Sequence, residues 1–252
     1  MTQKKKIIFI AGCSHAAGSE IDGTEDSFYN RQNSFPTHLA NHMGRLHVHA
    51  ALPGATNPTI ARSLQEWFLE KYNKETMDVF VLIAWTDASR IELPSETPKF
   101  HNVSNLSADW FSKTSIEYHR LTANGLQGTV AEQDYIDLCQ KFMVMNPSYL
   151  EIYTANLILQ TQYFLNMHNI KYLMCSTNTL FMTRSHINWY KHLIDKTRFI
   201  NFDNFNESFY PKYNNLGYEN KLAKYFHHGA EPHLLYAEYL YDYIKKYRLD
   251  HE

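Results

Sequence analysis

Lys5-Lys6-Ile7-Ile8-Phe9-Ile10-Ala11-Gly12-Cys13-Ser14-His15-Ala16-Ala17-Gly18 is the stretch on which the reading of this chain turns. The apolar run over 5–11, closed by Gly12, has the look of a central parallel strand covered on both faces. Lys4, Lys5 and Lys6 stand before its apolar part, as in a secretory leader. The apolar part is short, however, and passes straight into the polar Gly12-Cys13-Ser14-His15-Ala16-Ala17-Gly18-Ser19-Glu20, so it reads as a buried strand and not as a cleaved segment.

Working outward, strands and helices alternate. Ser34 to Met43 predicts a helix with Pro36 in its first turn, Phe35, Leu39 and Met43 at helical spacing, and Gly44 as its stop. Leu46–Leu52 predicts a second strand ending at Pro53-Gly54. A helix then opens at Asn57-Pro58 and runs to about Tyr72, with Ile60, Leu64, Trp67 and Phe68 on one face. Asp78–Trp85 is the clearest strand. Residues 88–145 break the rhythm, with scattered aromatics and weak helical character, and read as an inserted lid. Beyond them come a helix over about 147–166, a strand over 170–175, a helix near 186–196, a short strand around 198–202, a Tyr- and Asn-rich loop over 204–226 and a last helix over about 232–247. The expectation is one α/β domain over 1–252. It is a flavodoxin-like three-layer α/β/α sandwich on a parallel sheet of about five strands, with ligands beyond the carboxyl ends of the strands.

Composition narrows the classes. The 252 residues are 44% hydrophobic, 20% charged and 15% aromatic, with a formal charge of −2, which describes a packed protein without the basic footprint of a nucleic-acid or acidic-membrane binder. No segment approaches the ~20 apolar residues of a membrane span. Three widely spaced cysteines, Cys13, Cys139 and Cys175, argue against a disulfide framework and for a reducing compartment, a bacterial cytoplasm or a phage-infected one.

Two segments carry the chemistry. Ser14 follows the first strand among small residues that let the backbone turn tightly and aim amides outward, as a nucleophile with an oxyanion-stabilising N–H requires. A phosphate loop is the alternative, but neither a Walker A nor a G-x-G-x-x-G pattern is present. Phe226-His227-His228-Gly229-Ala230-Glu231-Pro232-His233 supplies histidines that could activate a serine. The same histidines, with Glu231 or His47 and His49, could instead form a metal site. With 14 histidines in the chain and no H-E-x-x-H spacing, the expectation is no metal and no cofactor.

These blocks resemble the SGNH/GDSL hydrolases, and their wording resembles a branch of that superfamily found in bacteriophages. Gly12-Cys13-Ser14 stands where that family carries its nucleophilic serine. Pro53-Gly54-Ala55-Thr56-Asn57 resembles the block whose glycine amide enters the oxyanion hole, and Ala84-Trp85-Thr86-Asp87 stands in place of Gly-x-Asn-Asp. The His227 loop resembles the block of the catalytic histidine. The resemblance implies a carboxylic ester hydrolase of a small-molecule or carbohydrate ester, of which an O-acetyl group on a carbohydrate is one form. Ser14 would be the nucleophile and His227 the base, with His228 as the fallback. Ser14 and Gly54 amides, together with Asn57 or Thr86, would hold the oxyanion.

One departure stands out. The family places an aspartate three residues before the histidine, and Lys224 occupies that position. A lysine cannot accept the imidazole N–H. The acid's place then falls to Asp203, to Glu219 or to a backbone carbonyl, or the pair acts as a dyad. The rival reading is a catalytically degenerate member of the fold, serving as a binding or assembly module, as in a virion. Arg90 and Glu92 are expected to form an ion pair that fixes the loop after the third strand, in preference to a substrate-binding role.

Overall fold

The computed structural model describes residues 3–94, 118–122, 125–127, 141, 147–181, 187–218, 220, 223–224 and 226–251, with backbone alone at 91–94, 118–122, 125–127 and 147. In chain order the elements are β1 (Lys5–Gly12), α1 (Ser14–Ala17), α2 (Phe28–Gln32), α3 (Phe35–His42), β2 (Leu46–His49), α4 (Asn57–Glu70) and β3 (Met77–Trp85). They continue with β4 (Ile91–Pro94), β5 (Tyr118–Thr122), β6 (Gly125–Gln127), α5 (Pro147–Met167), β7 (Lys171–Ser176), α6 (Phe209–Asn215) and α7 (Ala230–Tyr247).

The main sheet is parallel, in the order β2-β1-β3-β7. Because side chains alternate along a strand, each central strand feeds two cores. Phe9, Val81, Ile83 and Met174 face α4 and α5, whereas Ile8, Ile10, Leu82 and Leu173 face α3 and α7. Burial on both faces explains why β1 and β3 read as unbroken apolar runs. The result is the expected three-layer α/β/α sandwich. β2 is shorter than its apolar stretch, but the chain stays extended beyond it and continues to pair with β1 through Ala50 N–H to Ile10 O (2.8 Å) and Leu52 N–H to Gly12 O (3.0 Å).

Three expectations change. Among the described residues the sheet has four strands, not about five: the segment near 198–202 adds one bridge, Met174 to Phe199, and then turns away at Asn201, whose φ of 61° ends the extended run. There Phe199, Phe202 and Phe205 turn inward and pack against one another. The helix sought near 186–196 consists, among the described residues, of 3-10 turns at Tyr190–His192 and Lys196–Arg198. The inserted region contains, over 91–127, an antiparallel sheet β4-β5-β6 that was not expected. The rest of the proposed lid lies outside the described residues. No helix among the described residues is long and apolar enough to cross a membrane.

Candidate active site

β1 ends at Gly12 because the chain doubles back onto the strand immediately afterwards. A Cβ on Gly12 would stand 2.5 Å from the Ala16 side chain and 3.0 Å from that of Ala84. That close approach starts the one-turn helix α1 directly above the carboxyl end of the sheet. Ser14 is its first residue, and its N–H has no helical partner. Among the described residues, no main-chain hydrogen bond uses the N–H of Ser14 or of Gly54. Gly54 sits in the turn after the β2 extension with a φ of 69°. Two unengaged donors thus belong to the two loops flanking the end of β1.

Cys13, the residue before Ser14, faces the other way. It is fully buried, and its Sγ lies 3.2 Å from Thr177 Oγ1, which itself donates to Trp85 O (3.0 Å). The thiol is therefore the donor of its pair. Cys13 and Cys175 are free and buried, and Cys139 lies outside the described residues.

Gly18 ends α1 in the left-handed region at a φ of 75°, and the chain enters a loop that carries Glu20. Glu20 is 2% exposed, and its carboxylate stands 2.6 Å from His227 Nδ1. The other carboxylate oxygen accepts the N–H of Lys224 at 2.8 Å, and the Glu20 carbonyl accepts from Asn220 Nδ2 at 2.8 Å. Lys224, standing where the family has its aspartate, contributes its backbone to hold a carboxylate that arrives from the other end of the chain. Both ends of this contact involve left-handed residues: Glu20 at a φ of 65° and Phe226, just before His227, at 63°. Such strain persists only where surrounding bonds over-determine it.

With Nδ1–H donating to Glu20, the Nε2 of His227 carries the lone pair. Burial lowers the His227 pKa below the ordinary imidazole value, while the hydrogen bond and charge of Glu20 pull it back up. The ring is therefore neutral and basic near pH 7. His15 lies against it, with ring centroids 4.8 Å apart, and also contacts the Tyr210 ring at 5.3 Å. Burial first, then the charge of His227, hold His15 well below its usual pKa, and its Nδ1 is buried without a partner. Among the described residues the Ser14 hydroxyl makes no hydrogen bond. Hydrogen bonds of this kind are often long in empty sites and tighten when substrate binds.

The remaining sequence candidates are placed as follows. His228 sits between two carbonyls, with Nδ1 3.1 Å from Tyr218 O and Nε2 3.2 Å from Tyr210 O, so both nitrogens face main chain. Asn57 is fully buried, and its amide is engaged with the next loop: Nδ2 donates to Thr86 O (3.1 Å) and Oδ1 accepts from Thr86 N–H (3.0 Å). Thr86 keeps a buried Oγ1 with no partner, aligned with the loop where an oxyanion donor was expected. Asp203 is paired with Lys196 at 2.8 Å on the surface. Glu219 and the Glu92 side chain lie outside the described residues.

His233 accepts the N–H of Phe35 at 3.1 Å and fastens α7 to the start of α3. His49 receives Arg31 Nη1 on Nδ1 (3.2 Å) and donates through Nε2 to Ser34 Oγ (3.1 Å). Among the described residues, no group of three metal-ligating side chains converges. The residue that sequence reasoning missed is Glu20. No local pattern marks it, because its partner lies 207 positions away.

No protein-family model and no curated protein matches this chain. Among solved structures, it is similar to a carbohydrate acetylesterase family member from Sinorhizobium meliloti, at 11% identity over 96% of this chain and 98% of that one, with a TM-score of 0.46. It is also similar to a carbohydrate esterase family 2 enzyme from Corynascus thermopiles (11% identity, 98% of this chain, 68% of that one, TM-score 0.45). A third similar structure is the psychrotrophic esterase EstA from Pseudoalteromonas sp. (12% identity, 96% and 98%, TM-score 0.44). At such values the chemistry has to be read from the residues themselves.

Proposed function

We propose that this chain is a serine ester hydrolase in which Ser14 is the nucleophile, His227 the base and Glu20 the group that orients the imidazole. The observation that carries the reading is the buried 2.6 Å contact between Glu20 and His227 Nδ1. It fixes the tautomer that leaves Nε2 able to take a proton, on a ring that lies against His15, the residue after the serine at the free N-terminus of a helix turn.

Ser14 Oγ attacks the ester carbonyl carbon while Nε2 takes the hydroxyl proton. The negative charge that develops on the carbonyl oxygen is met by the N–H groups of Ser14 and Gly54, with the Thr86 hydroxyl as a third donor. Collapse breaks the bond to the alcohol, which leaves with the proton held by His227. Water, deprotonated by the same nitrogen, then releases the acid and restores Ser14. Glu20 remains ionised throughout and stabilises the imidazolium.

For the substrate, we propose an ester, such as an O-acetyl group, on a carbohydrate. Phe226, 78% exposed beside His227, and Tyr210, packed on His15, offer aromatic faces to a sugar ring. The test is labelling of the purified chain with a fluorophosphonate probe and mapping of the modified residue, together with release of p-nitrophenol from its acetate ester. Modification at Ser14 and loss of turnover in Ser14→Ala are the expected results. Turnover that survives Ser14→Ala overturns the assignment. Absence of both labelling and turnover in the unmodified chain favours the rival reading, a catalytically silent binding module.

A further inference from the structure

We infer that Arg90 recognises a carboxylate on the substrate, so that this site takes anionic esters. The inference deepens the hydrolase reading and rests on it. Arg90 lies in the loop that leaves the carboxyl end of β3, with its N–H on Asp87 O at 3.3 Å. The base of that loop is tied to the Gly54 loop by Asn57, which grips Thr86 from both sides. Arg90 itself reaches the residue after Gly54, with Nη1 3.4 Å from Ala55 O. The guanidinium is thus held at the edge of the loop that offers an oxyanion donor.

Its charge acts on the site from there. Arg90 disfavours protonation of both His15 and His227, on opposite sides of the ring contact between them.

Among the described residues that charge meets no carboxylate, and the Glu92 side chain lies outside them. A guanidinium has five N–H donors, and here one long bond to a carbonyl is the only contact made among the described residues. The carboxylates described near it have other partners or act elsewhere. Glu20 serves His227 and Lys224, and Asp87 accepts the N–H of Ser89 at 2.6 Å. Glu25, exposed on the rim, acts on His227 in the opposite sense. A half-buried arginine that merely braced a loop would be expected to pair with one of these. A guanidinium at the edge of the Gly54 loop, without a carboxylate among the described residues and opposing protonation of His227, is instead matched to a planar anion brought by the substrate.

The test compares rates on charged and neutral esters of similar shape. 4-Acetoxybenzoate is set against its methyl ester, and 4-nitrophenyl hemisuccinate against 4-nitrophenyl butyrate, so that the two pairs place the carboxylate on the alcohol and on the acyl side. The native chain is expected to prefer the charged member of one pair, and added salt should weaken that preference. In Arg90→Gln the charged-to-neutral ratio of kcat/KM should fall about ten- to one-hundred-fold, and Arg90→Lys should recover part of it. Equal losses on both members, leaving the ratio unchanged, would mean that Arg90 only braces the Ala55 loop and would overturn the inference. Calorimetric binding of 4-acetoxybenzoate to Ser14→Ala, with and without Arg90→Gln, separates this failure from that of the hydrolase reading. Carboxylate binding that does not depend on Arg90 sinks the inference even if esters are cleaved, and Arg90-dependent binding upholds the anion site even if none is.

Discussion

The two loops that meet at the Glu20–His227 contact are built in opposite ways. The loop between α1 and α3 is knitted by its own side chains. Asp22 accepts from Thr24 N–H (2.9 Å), Thr24 Oγ1 (2.6 Å) and Ser27 Oγ (2.7 Å). Fully buried Asn30 accepts Asp22 N–H at 3.0 Å and donates to Thr24 O at 2.8 Å. Arg31 pairs with Asp26 at 2.8 Å and donates to Ala51 O at 2.9 Å, anchoring the loop to the strand edge. The loop before α7 has little of this. Among the described residues it has two internal bonds, Ala223 N–H to Asn220 O (3.1 Å) and His228 Nδ1 with Tyr218 O (3.1 Å), while other bonds run outward, from Asn220, Lys224 and His227 to Glu20 and from His228 Nε2 to the carbonyl of Tyr210. The first loop is a frame and the second hangs on it, so the orientation of His227 is set by residues near the other end of the chain.

The largest expected effect comes from cutting the link between them. Glu20→Gln retains the shape but presents an amide where two N–H groups need a carboxylate, and kcat should fall by about three to four orders of magnitude, as loss of the orienting acid does in triads. In Glu20→Ala, hydrogen exchange should speed up at the Lys224 amide and stay slow at Asp22 and Thr24. If both variants keep activity within a few-fold, the two loops are independent and Glu20 is not the orienting group.

Cutting the frame itself should act on stability. Asn30→Ala removes both bonds of a fully buried side chain, leaving the Asp22 N–H without this partner and the Thr24 carbonyl with the Glu20 N–H alone, at a cost of about 2–3 kcal/mol. For a chain of this size that lowers Tm by roughly 5–10 °C. Activity should fall too, because Glu20 N–H is bonded to Thr24 O at 2.8 Å. The reverse cut, His228→Ala in the hanging loop, should leave Tm closer to that of the parent. Equal losses in the two variants would erase the distinction between frame and passenger.

How much of this was legible in the sequence follows from the range of each interaction. Strands β1 and β3 are bounded by local signals, apolar runs closed by Gly12 and by Thr86-Asp87, and the structure places them as read. Helix α4 is likewise announced by Asn57-Pro58. Glu20 had no local signal. A carboxylate is recognised as an orienting acid by what it touches, and the local order Gly18-Ser19-Glu20 fits a solvated turn equally well. The histidines were indistinguishable for the same reason: His49 and His233 are neutral hydrogen-bonding groups of the core, and only distances separate them from His227.

Those buried histidines make a smaller prediction about pH. Burial is the first cause holding His15, His49 and His233 well below the ordinary imidazole pKa. A group whose folded pKa is depressed leaves stability intact above its unfolded value, near 6.5, and removes it as the pH falls. Each such ring contributes a slope of about 1.4 kcal/mol per pH unit until its own folded pKa is reached. Urea midpoints should therefore be level from pH 8 to 7 and decline from about pH 6.5 downward. His49→Asn should flatten the decline by bracing the frame with a side chain that does not titrate. A midpoint unchanged between pH 7.5 and 5 would mean that these rings are not held neutral.

The smallest effect separates strain from contact at the point where the hanging loop reverses. Phe226 holds a φ of 63° with its side chain 78% exposed, so little apolar burial offsets the steric cost of that conformation. The cost for a non-glycine residue is about 1–2 kcal/mol. Phe226→Gly removes it and adds some freedom to the unfolded chain, for a net gain of roughly 0.5–1 kcal/mol and a rise in Tm of about 2 °C. If the ring also supports the substrate, the same variant should raise KM several-fold while kcat changes little, since His227 stays bonded to Glu20. Phe226→Asn, which tolerates the left-handed region but offers no aromatic face, should reproduce the KM effect with a smaller gain in Tm. A variant that is more stable with KM unaltered would assign Phe226 to the turn alone. One that loses stability would show that the exposed ring packs on the loop after all, and that the hanging loop has a support of its own.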